Sequence, residues 1–232
     1  MNHIDIAEVK TPYGYFENYW TIDGVLLPEL LDIKTKGLND ENINWIETFL
    51  GLCPAWNFDL DWWGDVRFVW KLINMDNVTL PILLCEDDRD FSCIVIVVEV
   101  KKSKDFVCWN RIGYVLHNNE NFDEEKQNGI LNLEIYSDED WKKYGDNIAL
   151  AKVDSQEWTE WVGKHWDEEL YRRRMNYTFP YYQKEENIEW FLDTNWVFNR
   201  VEYENMVVKF KHMQQEKNQG LLDSVGFDKK EV

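Results

Sequence analysis

Basic residues are the first shortage in this chain. Only 25 Lys+Arg stand against 44 Asp+Glu in 232 residues, a net charge of −19. Such a surface repels phosphate backbones, which a basic stripe has to neutralise before nucleic acid binds. It also disfavours an anionic membrane. The longest basic run, Arg172-Arg173-Arg174, follows Asp167, Glu168 and Glu169, so it reads as intrahelical ion pairing and not as a nucleic-acid face. Glycine is scarce at 11 residues. There is no GxGxxG, GxxxxGKS/T or GxSxG, which disfavours nucleotide binding through a glycine-rich loop. The four histidines, His3, His117, His165 and His212, form no HxxxH or HExxH pair. His165 stands beside Trp166 in a helical stretch and reads as a structural residue, not a base.

Cysteine is also sparse: Cys53, Cys85, Cys93 and Cys108, with no CxxC. Each sits in an apolar setting, where a thiol is usually inert. They read as reduced core residues of a cytoplasmic protein. Cys85 and Cys93 can face each other across a hairpin, which leaves a disulfide open. The opening residues MNHIDIAEVK carry no apolar signal segment. The longest aliphatic stretch, Ile94 to Val98, is far too short to span a bilayer.

What the chain does have is aromatic mass. Hydrophobic residues make up 44% and aromatics 16%, with 13 Trp, 12 Phe and 11 Tyr. A disordered acidic chain lacks these rings. A compact domain of this length buries about 70% of its unfolded surface, enough for a real core.

Aliphatic runs at 79–85 and 92–100, and an alternating stretch at 106–116, predict three strands joined by short polar turns. Leu131, Leu133 and Ile135 predict a fourth. Helical spacing marks 40–50, 65–73 and 155–174, the last with Trp158, Trp161, Val162, Trp166 and Leu170 on one face. Ser137 to Asp140 has capping-box spacing before a short helix. Turns are expected at 11–15 and 22–25, and an aromatic loop or edge at 177–182. A final helix begins at Asn199 or Arg200. The polar loop 117–129 is the best internal boundary. The whole predicts an α+β fold. Its sheet is mostly antiparallel, a meander near 79–116, with helices packed on one face. Residues 1–212 form one domain, and 213–232 a polar, frayed tail.

Two segments stand out as candidate sites. Glu86-Asp87-Asp88-Arg89-Asp90 carries four carboxylates in five positions. Calcium loops need alternating ligands, a glycine turn and a distant glutamate, which this connector lacks. It reads as a solvated turn or a partner-binding acidic edge, and whether it holds a cation is left open. No cofactor or metal is assigned. In PAWNFDLDWWGD, Trp56, Trp62 and Trp63 alternate with Asp59, Asp61 and Asp65, as an acidic interface with aromatic anchors would. Core packing is the competing reading, strongest for Trp63. Glu99, alone in IVIVVEV, has the setting of a general acid with a raised pKa, or of a strand end emerging into water.

The stretches GLCPAWNFDLDWWGDVRFVWKLI, LPILLCEDDRDFSCIVIVVEVKKSKDFVCWNRIG and FNRVEYENMVVKF resemble acidic cytoplasmic immunity proteins of bacterial polymorphic and contact-dependent toxin systems. The likeness spans about residues 50–212 and lies in general character, namely acidity, abundant aromatics and a final Glu-Tyr helix. It implies a protein that binds a cognate toxin domain, such as a nuclease with a basic cleft, and blocks it. On this reading Trp56, Asp59, Asp61, Trp62, Glu86, Asp87, Asp88 and Asp90 form the partner-binding face, and the partner is a basic protein. A protein-interaction or scaffolding module, for which a homo-oligomer is left open, and a carboxylate-dependent hydrolase on a small molecule or sugar, are the alternatives.

Overall fold

The computed structural model describes residues 1–36, 46–116 and 163–219, together with Asp138, Glu139, Lys142 and Glu160. The chain opens with a hairpin of β1 (Ile4–Lys10) and β2 (Phe16–Ile22). Asp23 and Gly24 both take positive φ, 52° and 83°, the backbone that a tight turn between twisted strands requires. β3 (Val25–Leu26) then pairs with β2. Helix α1 (Leu27–Thr35) follows, with Pro28 in its first turn, where the missing N–H costs nothing.

The second sheet is built from β4 (Leu52–Pro54), β5 (Asn77–Cys85), β6 (Val95–Lys102), β7 (Phe106–Val115) and β8 (Ile188–Asn199). The five lie in chain order and every neighbouring pair is antiparallel. The expected meander is therefore β5–β6–β7, in an α+β fold whose helices pack alongside the sheets. Val78 to Leu84 are buried in succession, so β5 is covered on both faces. The outer edge of β8 is met by the amino end: the Asn2 N–H donates to the Val197 carbonyl at 2.7 Å, and the Val197 N–H donates to Asn2 Oδ1 at 3.1 Å.

Helix α2 (Trp63–Ile73) matches the predicted period, and α3 (Trp166–Arg173) packs against it. The contact is close because Gly64 has no side chain. A Cβ there would lie 2.5 Å from the Asp167 carbonyl oxygen and 3.0 Å from the Tyr171 nitrogen, both backbone. Alanine is the better helix former by about 1 kcal/mol, yet Gly64→Ala is expected to lower stability by about 1–3 kcal/mol, because the helices must separate. Urea midpoints of the two proteins check this.

After α3 the helix widens into a π turn, Arg174–Thr178, and resumes as α4 (Phe179–Tyr182). The aromatic loop expected at 177–182 is thus helical. Pro180 lies in the first turn of α4, a position that tolerates it. The last helix, α5 (Arg200–Lys217), starts where its cap predicts: Asn199 Oδ1 accepts from the N–H groups of Val201 and Glu202. It runs past the boundary drawn at 212, with Gln214 fully buried and accepting from the Phe58 N–H at 3.2 Å.

The described end of the helix expected at 40–50 is a single 3-10 turn, Phe49–Gly51. Asp32 of α1 takes the Thr48 hydroxyl at 2.7 Å and the Phe49 N–H at 2.9 Å, which fixes that segment locally. The strand at 131–135, the loop at 117–129, most of the short helix after Ser137, Trp158, Trp161 and Val162 lie outside the described residues. No helix among the described residues is long and apolar enough to cross a membrane.

Candidate functional site

The acidic connector is the turn between β5 and β6, and its one cation faces inward. Arg89 holds the left-handed backbone, φ 45°, an unusual conformation for a residue with a side chain. Its guanidinium explains why the turn is held there. Nη1 pairs with Asp59 at 2.9 Å, Nε donates to Glu86 Oε1 at 2.8 Å, and Nη2 reaches the Tyr15 hydroxyl at 3.2 Å. Nη2 also pairs with the same Glu86 oxygen. Burial opposes the Arg89 charge, but Asp59 and Glu86 more than offset it, and its pKa lies above the usual range.

The ion pairs continue into the C-terminal helix. Lys217 sits 3.5 Å from Asp59 and 2.9 Å from Glu17, whose side chain is fully buried. Burial pushes the Glu17 carboxyl up, and Lys217 and the Asn18 N–H only partly restrain it. The chain of charges Glu86–Arg89–Asp59–Lys217–Glu17 therefore ties four segments together: the β1–β2 hairpin, the stretch before α2, the β5–β6 turn and α5.

The turn's backbone is closed as well. The Arg89 N–H donates to the Cys85 carbonyl at 3.0 Å, and the Asp61 N–H donates to the Arg89 carbonyl at 3.3 Å. Asp90 accepts from the Ser92 N–H at 2.8 Å and its hydroxyl at 2.6 Å. With Arg89 engaged inward, Asp61, Asp87 and Asp88 remain exposed on the outer side. Beside them runs an open cleft of about 330 Å³ lined by Tyr13, Ile46, Glu47, Leu52, Glu86 and Asp87, among others. Tyr13 is 59% exposed. Burial first, then Asp87 and Glu86, push its phenol up, so it stays a neutral donor at physiological pH.

The structure thus brings together Asp59, Asp61, Glu86, Asp87, Asp88 and Asp90, and separates them by role. Asp59 and Glu86 are bound to Arg89, Asp90 closes the turn, and Asp61, Asp87 and Asp88 face solvent. Trp56 is placed differently from its expected role as an anchor. It is 0% exposed, its Nε1 donates to the Pro81 carbonyl at 3.0 Å, and its own carbonyl accepts from Trp70 Nε1 at 3.1 Å. A ring so enclosed belongs to the core and touches no partner. Trp62 is half-buried with its ring edge-on to Trp166 at 6.1 Å. Trp63 is core, as its competing reading held.

Glu99 does not have the raised pKa of a general acid. Burial would push it up, but the Asn110 amide at 2.9 Å, Arg111 and Lys101 outweigh burial and hold it below the usual range. His165 is exposed just before α3. Arg172 and Arg173 both pair with Glu169 within the helix, as expected, while Arg174 crosses to Asp65 of α2.

Sequence reasoning missed three features. Arg89 was hidden in an acidic string. Tyr13 and Glu47 come from segments distant in sequence, and no local signal marks them. Cys85 and Cys93 do converge at the hairpin, but with Asp88 between them: one donor atom from each of the three lies within 4.8 Å of the others. All four cysteines are free thiols. Burial and the neighbouring Cys85 thiol push Cys93 up to about 12. Set against protein-family models, curated proteins and solved structures, the chain finds no match, and the functional reading rests on this geometry.

Proposed function

We propose that this protein captures a basic protein partner at the acidic end of its five-stranded sheet, as an immunity-type inhibitor of a toxin domain. The observation that carries the reading is the exposure of Asp87 and Asp88 on a turn whose only cation, Arg89, is held inward, with exposed Asp61 of the stretch before α2 bonded to that turn through its N–H. A pinned turn presents these carboxylates with little ordering cost on binding. A net charge of −19 steers a cationic domain toward them. The adjoining cleft offers Tyr13 and Ile46 as contact area, so a tyrosine takes the anchoring part that Trp56 does not.

The test is capture of the partner from the native host, followed by co-expression with the basic domain recovered. Neutralisation of toxicity is the expected result, and survival no better than with an empty vector overturns the reading. Asp61→Lys combined with Asp87→Lys is expected to raise Kd about tenfold or more, mostly through slower association, and to flatten its salt dependence. Both side chains are exposed, so circular dichroism should match the parent. Unchanged affinity and salt slope remove these two residues from the contact.

A further inference from the structure

The same turn holds two thiols that electrostatic capture does not use, close to Asp88, which it does. Cys85 ends β5, Asp88 lies in the turn and Cys93 leads into β6. Their two sulfurs and a carboxylate oxygen lie within 4.8 Å of one another. Cys85 and Asp88 have two residues between them, the short spacing of zinc-binding turns, and Cys93 returns just before the opposite strand. Around a tetrahedral ion with Zn–S near 2.3 Å and Zn–O of roughly 2.0–2.2 Å, donors stand about 3.4–3.8 Å apart. From separations of no more than 4.8 Å, a closure of at most about 1.0–1.4 Å completes the set. Cys85 and Cys93 are half-buried and Asp88 is exposed, so an ion enters from solvent without opening the core.

The backbone is already held for this. The Cys85 N–H donates to the Ile94 carbonyl at 3.1 Å, and the Cys85 carbonyl accepts from the Arg89 N–H at 3.0 Å. The Arg89 side chain then locks the turn from inside. Two sulfurs exclude magnesium and calcium as the preferred ion, since both take oxygen ligands. Thiolate with carboxylate in a small tetrahedral set favours zinc.

We propose that Cys85, Asp88 and Cys93 bind one Zn²⁺, with water at the outward fourth position. Two Zn–S bonds and one Zn–O bond form, each thiol gives up its proton to solvent, and no electron is transferred. The ion staples the end of β5 to the start of β6. This site does not depend on partner capture, and its failure would leave that reading intact.

Cobalt titration of the intact protein, purified in reductant without chelator, tests it. One Co²⁺ per chain is expected, with the visible bands of a tetrahedral ion and a thiolate-to-cobalt charge-transfer band that zinc abolishes. Cys85→Ser and Cys93→Ser should each diminish that band and weaken zinc binding by at least about 100-fold, more than the 10–100-fold typical of residues that merely support a ligand. Cys108→Ser, on β7, should change neither. If a serine variant fails to fold, Asp88→Asn carries the test through an exposed side chain, with an expected loss of more than about 100-fold, beyond the range of a merely supporting residue. Cobalt bound without the charge-transfer band, zinc affinity unmoved by the ligand variants, or a Cys85–Cys93 disulfide in the anaerobically isolated protein overturns the proposal.

Discussion

Arg174→Met is expected to destabilise the fold by about 3–5 kcal/mol near pH 7, because it leaves a carboxylate buried without its counter-charge. Asp65 Oδ1 accepts from Arg174 Nε at 2.6 Å, and the two side chains are 0% and 2% exposed. The pair joins α2 to the π turn after α3, where Arg174 also faces the Phe91 ring at 4.9 Å. Asp65→Asn should cost much less, since the amide matches the protonated carboxyl that burial favours. The double variant Asp65→Leu, Arg174→Met should recover much of the loss, as replacing both charges removes both desolvation penalties. Urea unfolding of the wild type, Asp65→Leu, Arg174→Met and the double variant gives the coupling energy. Additive losses would show that the pair is not the unit described.

The same carboxyl sets a pH dependence. Burial, the dominant influence, pushes Asp65 from 3.8 up to about 6, and Arg174 only moderates the rise. Between those values the folded protein keeps a proton that the unfolded chain releases. Stability from this group therefore increases as pH falls through about 6, and the full penalty applies above it. Buried Glu17, also raised, acts in the same direction. The wild type should be more stable near pH 5 than near pH 7. Asp65→Asn, which cannot titrate, should show a shallower slope across that window. Equal slopes would place the titration elsewhere.

The parts of this fold legible in sequence are those fixed by local physics. The β5–β6–β7 meander follows from branched aliphatics broken by polar turns, and α5 from a capping asparagine followed by helical spacing. What sequence could not decide was the destination of an aromatic ring beside a carboxylate. PAWNFDLDWWGD has one alternation of ring and acid, yet Trp56 goes to the core, Trp62 to a half-buried edge and Asp61 to solvent. The outcome depends on β5, whose Pro81 carbonyl takes the Trp56 indole N–H, and on rings brought from both ends of the chain. The site divides in the same way. Its acidic turn was visible because four carboxylates are adjacent. The inward Arg89 was not, since its partners Asp59 and Tyr15 are 30 and 74 residues away by number.

Trp20→Ala is expected to lower stability by about 3–5 kcal/mol, the usual range for emptying a buried aromatic site. Trp20, on β2, is 0% exposed and stands where both sheets and α5 meet. Its ring lies edge-on to Trp56 at 4.7 Å, stacked on Phe210 of α5 at 5.4 Å and edge-on to Trp109 of β7 at 6.4 Å. Truncation removes one member of three ring pairs at once, each worth about 0.5–1.5 kcal/mol beyond area burial. Trp20→Phe should cost less than about 2 kcal/mol. It keeps an aromatic face and discards an indole N–H that has no hydrogen-bond partner among the described residues. The loss should also reach the acidic turn, because β2 carries Glu17, which holds Lys217 and through it Asp59. Hydrogen exchange of Trp20→Ala should therefore quicken in the β1–β2 hairpin and at the Arg89 N–H, more than in β6. A uniform acceleration would mean that the hairpin and the turn are not coupled through this cluster.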